Sequence, residues 1–72
     1  MKIEYDPKHD LMNIEFLTDE PITESIEVGG IIIDYAHDNK IVSIEILDAS
    51  ERTKKDPLSQ LDFSVIRETA AA

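Results

Sequence analysis

The chain has no cysteine and no tryptophan, only two glycines, two tyrosines and two phenylalanines, and seven basic residues against sixteen acidic ones among its 72. Each shortage excludes something. Without cysteine there is no disulfide framework and no thiolate metal centre. A single domain of this length buries too little of its own surface to be securely stable, which makes association with another chain the expected source of help. The formal net charge of -9, with a pI near 4.4, opposes phosphate backbones and anionic lipid. No apolar run approaches the ~20 residues of a membrane-spanning helix, and the opening MKIEYD carries an acid at its fourth position and no apolar stretch. These features predict a cytoplasmic protein with no membrane partner and no nucleic-acid partner of its own.

What is present is an internal repeat. Residues 3–17, IEYDPKHDLMNIEFL, lie over residues 33–47, IDYAHDNKIVSIEIL, without a gap. Ile3, Tyr5, Ile14, Glu15 and Leu17 recur as Ile33, Tyr35, Ile44, Glu45 and Leu47, and Leu11, Met12 and Phe16 meet Ile41, Val42 and Ile46. Each copy reads as strand, polar turn, strand. Two amphipathic hairpins of independent origin would share the same period, so duplication and coincidence both account for the match.

Period-2 alternation sets the strands. Ile3 and Tyr5 alternate within Lys2–Asp6, and Met12, Ile14 and Phe16 alternate against Asn13 and Glu15 within Leu11–Leu17. The turn between them contains Pro7, which presets φ and has no N–H to give a ladder. Ile22, Ile26 and Val28 mark a weaker third strand, broken on its apolar side by Glu24. Gly29-Gly30, the only glycines, permit a tight reversal with positive φ. Ile31–Tyr35 opens with three isoleucines, as a central or interface strand does. Ile41–Leu47 is the fifth strand, reached through the turn Ala36–Lys40. The expected fold is mainly β with a short C-terminal helix (α+β): an antiparallel meander of about five strands, paired sequentially and built from two repeated hairpins. Its core face carries Ile3, Tyr5, Met12, Ile14, Phe16, Ile33, Tyr35, Val42, Ile44 and Ile46.

The whole chain, 1–72, reads as one small domain. Beyond Asp48, Ser50 is placed to cap a turn of helix over Glu51–Lys55, and Asp56-Pro57 looks like a second cap followed by proline at the first helical position. Leu58, Leu61, Val65 and Ile66 fit one helical face, whereas Phe63 and Val65 also fit a strand, so residues 62–66 are open between the two. Segment 48–66 is expected to cover one face of the sheet, and 67–72 to fray.

The opening KIEYDP, the segment Leu11-Met12-Asn13-Ile14, the strand Ile32-Ile33-Asp34-Tyr35 and the run Ile44-Glu45-Ile46-Leu47-Asp48-Ala49-Ser50 resemble the YuzE-like family, small bacterial and archaeal proteins classed as a domain of unknown function. The resemblance covers residues 1 to about 52 and brings no catalytic motif. It implies a compact antiparallel β domain and, in many genomes, a neighbouring gene for a small toxin-like protein, hence an antitoxin-like role. This chain departs from the family in Met12-Asn13, where a tyrosine or other large residue is common, and in its polar tail.

Candidate chemistry is sparse. His9 and His37 sit in turns beside Asp10 and Asp38, which suits a metal or acid-base role and suits plain solvation equally. In a meander the two turns lie at opposite ends of the sheet, so one chain cannot bring both to one ion. Glu15 and Glu45 occupy equivalent repeat positions and could meet as a carboxylate pair. No phosphate loop, nucleophile elbow or paired-histidine helix occurs. The expectation is therefore a non-enzyme without cofactor, catalytic or metal site: a small acidic protein-binding module, antitoxin-like toward a small basic toxin-like protein. A self-associating structural domain, and a small enzyme or metal-binding protein using His9, His37 and carboxylates, stand as alternatives. A homodimer is expected, joined through the second sheet face by Leu11, Leu17, Ile32, Ile41 and Leu47 together with Leu58, Leu61 and Phe63, since large aliphatics on both faces leave something to be covered.

Overall fold

The computed structural model describes residues 1–53, 57–59 and 61–67. Strands β1 (Lys2–Asp6), β2 (Leu11–Glu15), β3 (Glu24–Val28), β4 (Ile31–Tyr35) and β5 (Ile41–Leu47) form one antiparallel sheet, followed by a short helix α1 (Ala49–Arg52). The expected fold class holds. β2 is shorter than its alternation suggested, because both Phe16 and Leu17 turn their amides onto the Val42 carbonyl and end the regular ladder, and β3 begins at Glu24, after Ile22.

The sequential pairing does not hold. Strand order is β1-β2-β5-β4-β3, so β2 pairs with β5 and β3 lies at the far edge. β3 is the strand least able to occupy the middle, being exposed at all five positions and carrying Glu24 on its apolar side. Reaching that edge from β2 means crossing three strand spacings, about 14 Å, and residues 16–23 can span up to ~26 Å.

The repeat has a structural meaning that this order reveals. Ile14 and Ile44, equivalent in the two copies, are direct partners at the β2–β5 seam. Around them Asn13 pairs with Glu45 as Glu15 pairs with Ser43, Ile3 pairs with Ile14 as Ile33 pairs with Ile44, and Lys2 pairs with Glu15 as Ile32 pairs with Glu45. The four strands β1-β2-β5-β4 thus obey an approximate two-fold axis through that isoleucine pair. It breaks at one point: Tyr35 pairs with Ile41 after a register shift, leaving Val42 as the extra residue of a bulge.

Directly opposed residues in an antiparallel ladder point to the same side. One face therefore carries the row Ile3, Ile14, Ile44, Ile33, Ile26 and beside it the row Tyr5, Met12, Ile46, Ile31, Val28. This is the side expected as the core. It is not enclosed, because no second layer lies over it among the described residues and only Val42 of the expected set is buried. The opposite face carries Lys2, Glu4, Asn13, Glu15, Ser25, Glu27, Ile32, Asp34, Ser43 and Glu45.

Residues 61–67 of the tail do not supply the missing layer. Residues 61–67 have no regular secondary structure, and Leu61, Phe63, Val65 and Ile66 are exposed. Pro57 is buried within a turn over residues 57–59, and Leu58 there has φ +68°. The expected extension of the helix to Lys55, the Asp56 cap and the fraying of 68–72 lie outside the described residues. No helix of the described residues is long and apolar enough to cross a membrane.

Candidate functional site

On the polar face, burial falls where a sequence reading does not look for it. Asp34, in the middle of β4, is 2 % exposed and Ser43, its partner on β5, 3 %. Register puts Ser25 of β3 and Ser43 of β5 on either side of Asp34. Ser25 Oγ donates to Asp34 Oδ1 at 2.6 Å and Ser43 Oγ to Oδ2 at 2.7 Å. The Glu45 carboxyl, one diagonal step away on β5, hydrogen-bonds the same carboxylate. No buried side-chain nitrogen or oxygen among the described residues lacks a partner.

The electrostatics follow from this packing. The hydrogen bond to Asp34, then partial burial and the Asp34 charge, push the Glu45 carboxyl up to about 7. Burial would raise Asp34 as well, but the hydrogen bonds from Glu45, Ser25 and Ser43 outweigh it and hold its carboxyl below the ordinary aspartate value. Below about pH 7 the pair holds one proton on Glu45 and one negative charge on Asp34. A pair of this kind can relay a proton. Here a substrate has no access to Asp34, so the chemistry serves to fasten β3, β4 and β5 together. Glu45 finds its carboxylate partner in Asp34 rather than in Glu15, which faces Ser43.

A second polar hub closes the end of the sheet where β1 turns into β2. Asp10, with φ +51°, accepts from Tyr5 Oη at 2.7 Å, from the Ser50 amide at 2.9 Å and from Ser50 Oγ at 2.6 Å. These bonds, those of Ser50 first, hold the Asp10 carboxyl below its usual range. Ser50 is thus not the helix cap. Asp48 occupies that position in a left-handed conformation, with no side-chain cap bond, and Asp10 satisfies the first-turn amide from 40 residues away. At the other end of α1, Arg52 Nε donates to the Leu47 carbonyl at 3.0 Å, and its guanidinium also reaches the Gly29 carbonyl. Gly29 and Gly30, with φ +59° and +81°, make the hairpin turn that both positive angles allow. A side chain at Gly30 would run into that guanidinium.

Residues 2–50 match the protein-family profile described as "Protein of unknown function (DUF2283)". The chain belongs to this family. No curated protein and no solved structure matches it. The DUF2283 region contains all five strands, the Asp34–Glu45 cluster and both sides of the Asp10–Ser50 contact, while Arg52 and the tail lie beyond it.

Of the residues singled out from sequence, His9 pairs with Asp6 at 2.6 Å, a contact that lowers the Asp6 carboxyl, and His37 lies 3.7 Å from Asp38. Strand directions put these two histidines at opposite ends of the sheet. Among the described residues no three metal-ligating side chains converge. Leu11 faces Leu47 at one end of the polar side, Ile32 lies between Glu45 and Glu27, Leu17 lies beyond the end of β2, and Ile41 faces Tyr35. Asn13, Ser43, Asp34 and Glu45 separate them, so they do not form one patch. Leu58 is half-buried, and Leu61 and Phe63 are exposed. The residues missed, Asp34 and Asp10, had a signal: an aspartate inside an isoleucine-rich central strand requires donors, and serines of matching parity flank it in β3 and β5.

Proposed function

We propose that the chain is a small acidic protein-binding module of YuzE-like type, acting in the cytoplasm as the antitoxin-like partner of a small basic protein. The observation that supports this reading is the charge on the polar face. Glu4, Glu15 and Glu27 share that side above the proton-sharing Asp34–Glu45 pair, and Lys2, already paired with Glu4 at 3.3 Å, is the only cation among its strand residues. Such a face accelerates encounter with a basic surface and disfavours acidic ones, including nucleic acid. The separated, solvated histidines support no competing catalytic reading. The test is titration of the full chain with the product of its neighbouring gene, provided that product is small and basic, at low and high salt. Micromolar or tighter binding that weakens with salt, and an association rate that falls about tenfold in Glu4→Lys/Glu27→Lys, is expected. Absence of binding, or binding indifferent to the charge reversal, overturns the reading.

A further inference from the structure

The apolar face is the largest unfinished feature of the molecule. It holds ten large apolar strand residues in two straight rows, and none of them is buried. Val28 is 69 % and Ile26 45 % exposed, while Phe16 and Ile41 at the margins are exposed as well. Five strands about 4.8 Å apart and five residues at about 3.4 Å each give a footprint of ~400 Å², the size of patch that marks an interaction site.

We infer that this face is the interface of a homodimer, a two-sheet sandwich in which a second copy of the chain lays its own isoleucine rows against the first. Three observations choose that occupant. Buried apolar residues among the described ones are confined to Ala36, Val42 and Ala49, besides Pro57, too small a core to hold a sheet, so the covering layer belongs to the folded state itself and must be present for every molecule. A second copy meets that condition at fixed stoichiometry. The face is free of charge except for Glu24 at its edge, whereas the net charge of -9 sits on the other face and in the loops, so a partner chosen by charge would bind elsewhere. Finally, the approximate two-fold axis through Ile14 and Ile44 makes the pattern nearly the same in both directions along the strands, which favours an isologous contact. Two such footprints come to about 800 Å² as flat sheets, and side-chain relief with the flanking Phe16 and Ile41 adds to this toward the ~1,200 Å² at which stable interfaces begin. Sheets packed this way lie about 10 Å apart with strands crossing near 30°. The inference is independent of the acidic face.

Sedimentation equilibrium of the full chain tests it, together with thermal melts across concentration. A dimer at micromolar concentration, with a midpoint that rises with concentration, is expected. Val28→Lys should weaken the dimer at least tenfold, while Glu27→Lys, one residue away on the other face, and Phe63→Asp in the tail should leave it intact. Should Val28→Lys fail to fold, spin labels decide instead, since a chain without cysteine takes a unique label. A label at V28C should be immobilised and one at E27C mobile. A monomer at all concentrations with a cooperative, concentration-independent melt overturns the inference, because the face is then either tolerated bare or kept for a different protein. Dissociation by Phe63→Asp or Glu27→Lys to the same degree as by Val28→Lys overturns it too.

Discussion

The two faces of the sheet are built from the same five strands and end in opposite conditions. On the polar face the chain completes its own structure: two serine hydroxyls and a protonated glutamate close around Asp34, leaving it among the most buried residues of the molecule. On the apolar face ten large side chains are left unburied, with no covering layer among the described residues. Directional hydrogen bonds can be satisfied within a single layer, because register alone brings donor to acceptor. Hydrophobic burial cannot, because it requires a second layer to exclude water.

Disrupting the polar face should have the largest effect. Asp34→Ala leaves the Ser25 and Ser43 hydroxyls and the Glu45 carboxyl without their acceptor, and a loss of about 3 kcal/mol is expected by urea denaturation. The loss should be the same at every protein concentration. Ile44→Ala, at the centre of the apolar face, should remove about 2 kcal/mol. There the contrast sharpens, since this loss should be largest where the protein is dimeric and shrink as it is diluted to monomer. An Ile44→Ala effect that ignores concentration would mean that the apolar face stabilises through its own strands alone.

A third effect is smaller and depends on pH. Glu45 has its carboxyl raised in the folded chain to about 7, so its contribution is complete below the ordinary glutamate value and disappears as pH rises through about 7. Asp34 is lowered, so its contribution is lost only in acid, below the ordinary aspartate range. Stability should therefore peak in mild acid, fall by roughly 1–2 kcal/mol between about pH 4.5 and pH 7, and level off above. Glu45→Gln, whose amide donates to Asp34 without a titrating proton, should flatten that decline in a series of melts. The most local change is Asp10→Ala. It removes the acceptor for Ser50 and should release amide protection at α1 and leave the sheet amides unchanged, as hydrogen exchange would show.

The strands were legible in the sequence because alternation is a local property, and the repeat was legible because Ile14 and Ile44 hold equivalent places in it. Strand order was not, since alternation says which side a residue faces and nothing about which strand lies beside it. The Asp34 cluster has a different cause: the expected meander already set β4 between β3 and β5, but only the register of the two ladders brings Ser25 and Ser43 opposite Asp34. The same gap led to Glu15 as the partner of Glu45. Parity placed Ile3, Tyr5, Met12, Ile14, Ile33, Tyr35, Ile44 and Ile46 correctly on one side, whereas Phe16 falls beyond the end of β2 and Val42 in the bulge, and burial depends on a covering layer that lies outside the strand pattern.

The β2–β5 seam also bears on the order in which the molecule can be completed as it leaves the ribosome. β1–β2 and β3–β4 form hairpins from neighbouring sequence, yet β2 ends at Glu15 and its second partner begins only at Ile41. Until Leu47 has emerged, both hairpins carry an inner edge of unpaired amides and carbonyls, and that of β4 lies along the Ile31-Ile32-Ile33 run, a segment suited to pairing with stray strands. A nascent chain arrested before Ile41 is thus two sticky fragments. One strand converts them into a sheet, and the helix after it, tied by Ser50 to Asp10 and by Arg52 to Gly29, latches both hairpin turns in the same stroke. Arrival of β5 therefore removes the two inner edges at once and leaves only the outer edges of β1 and β3 open.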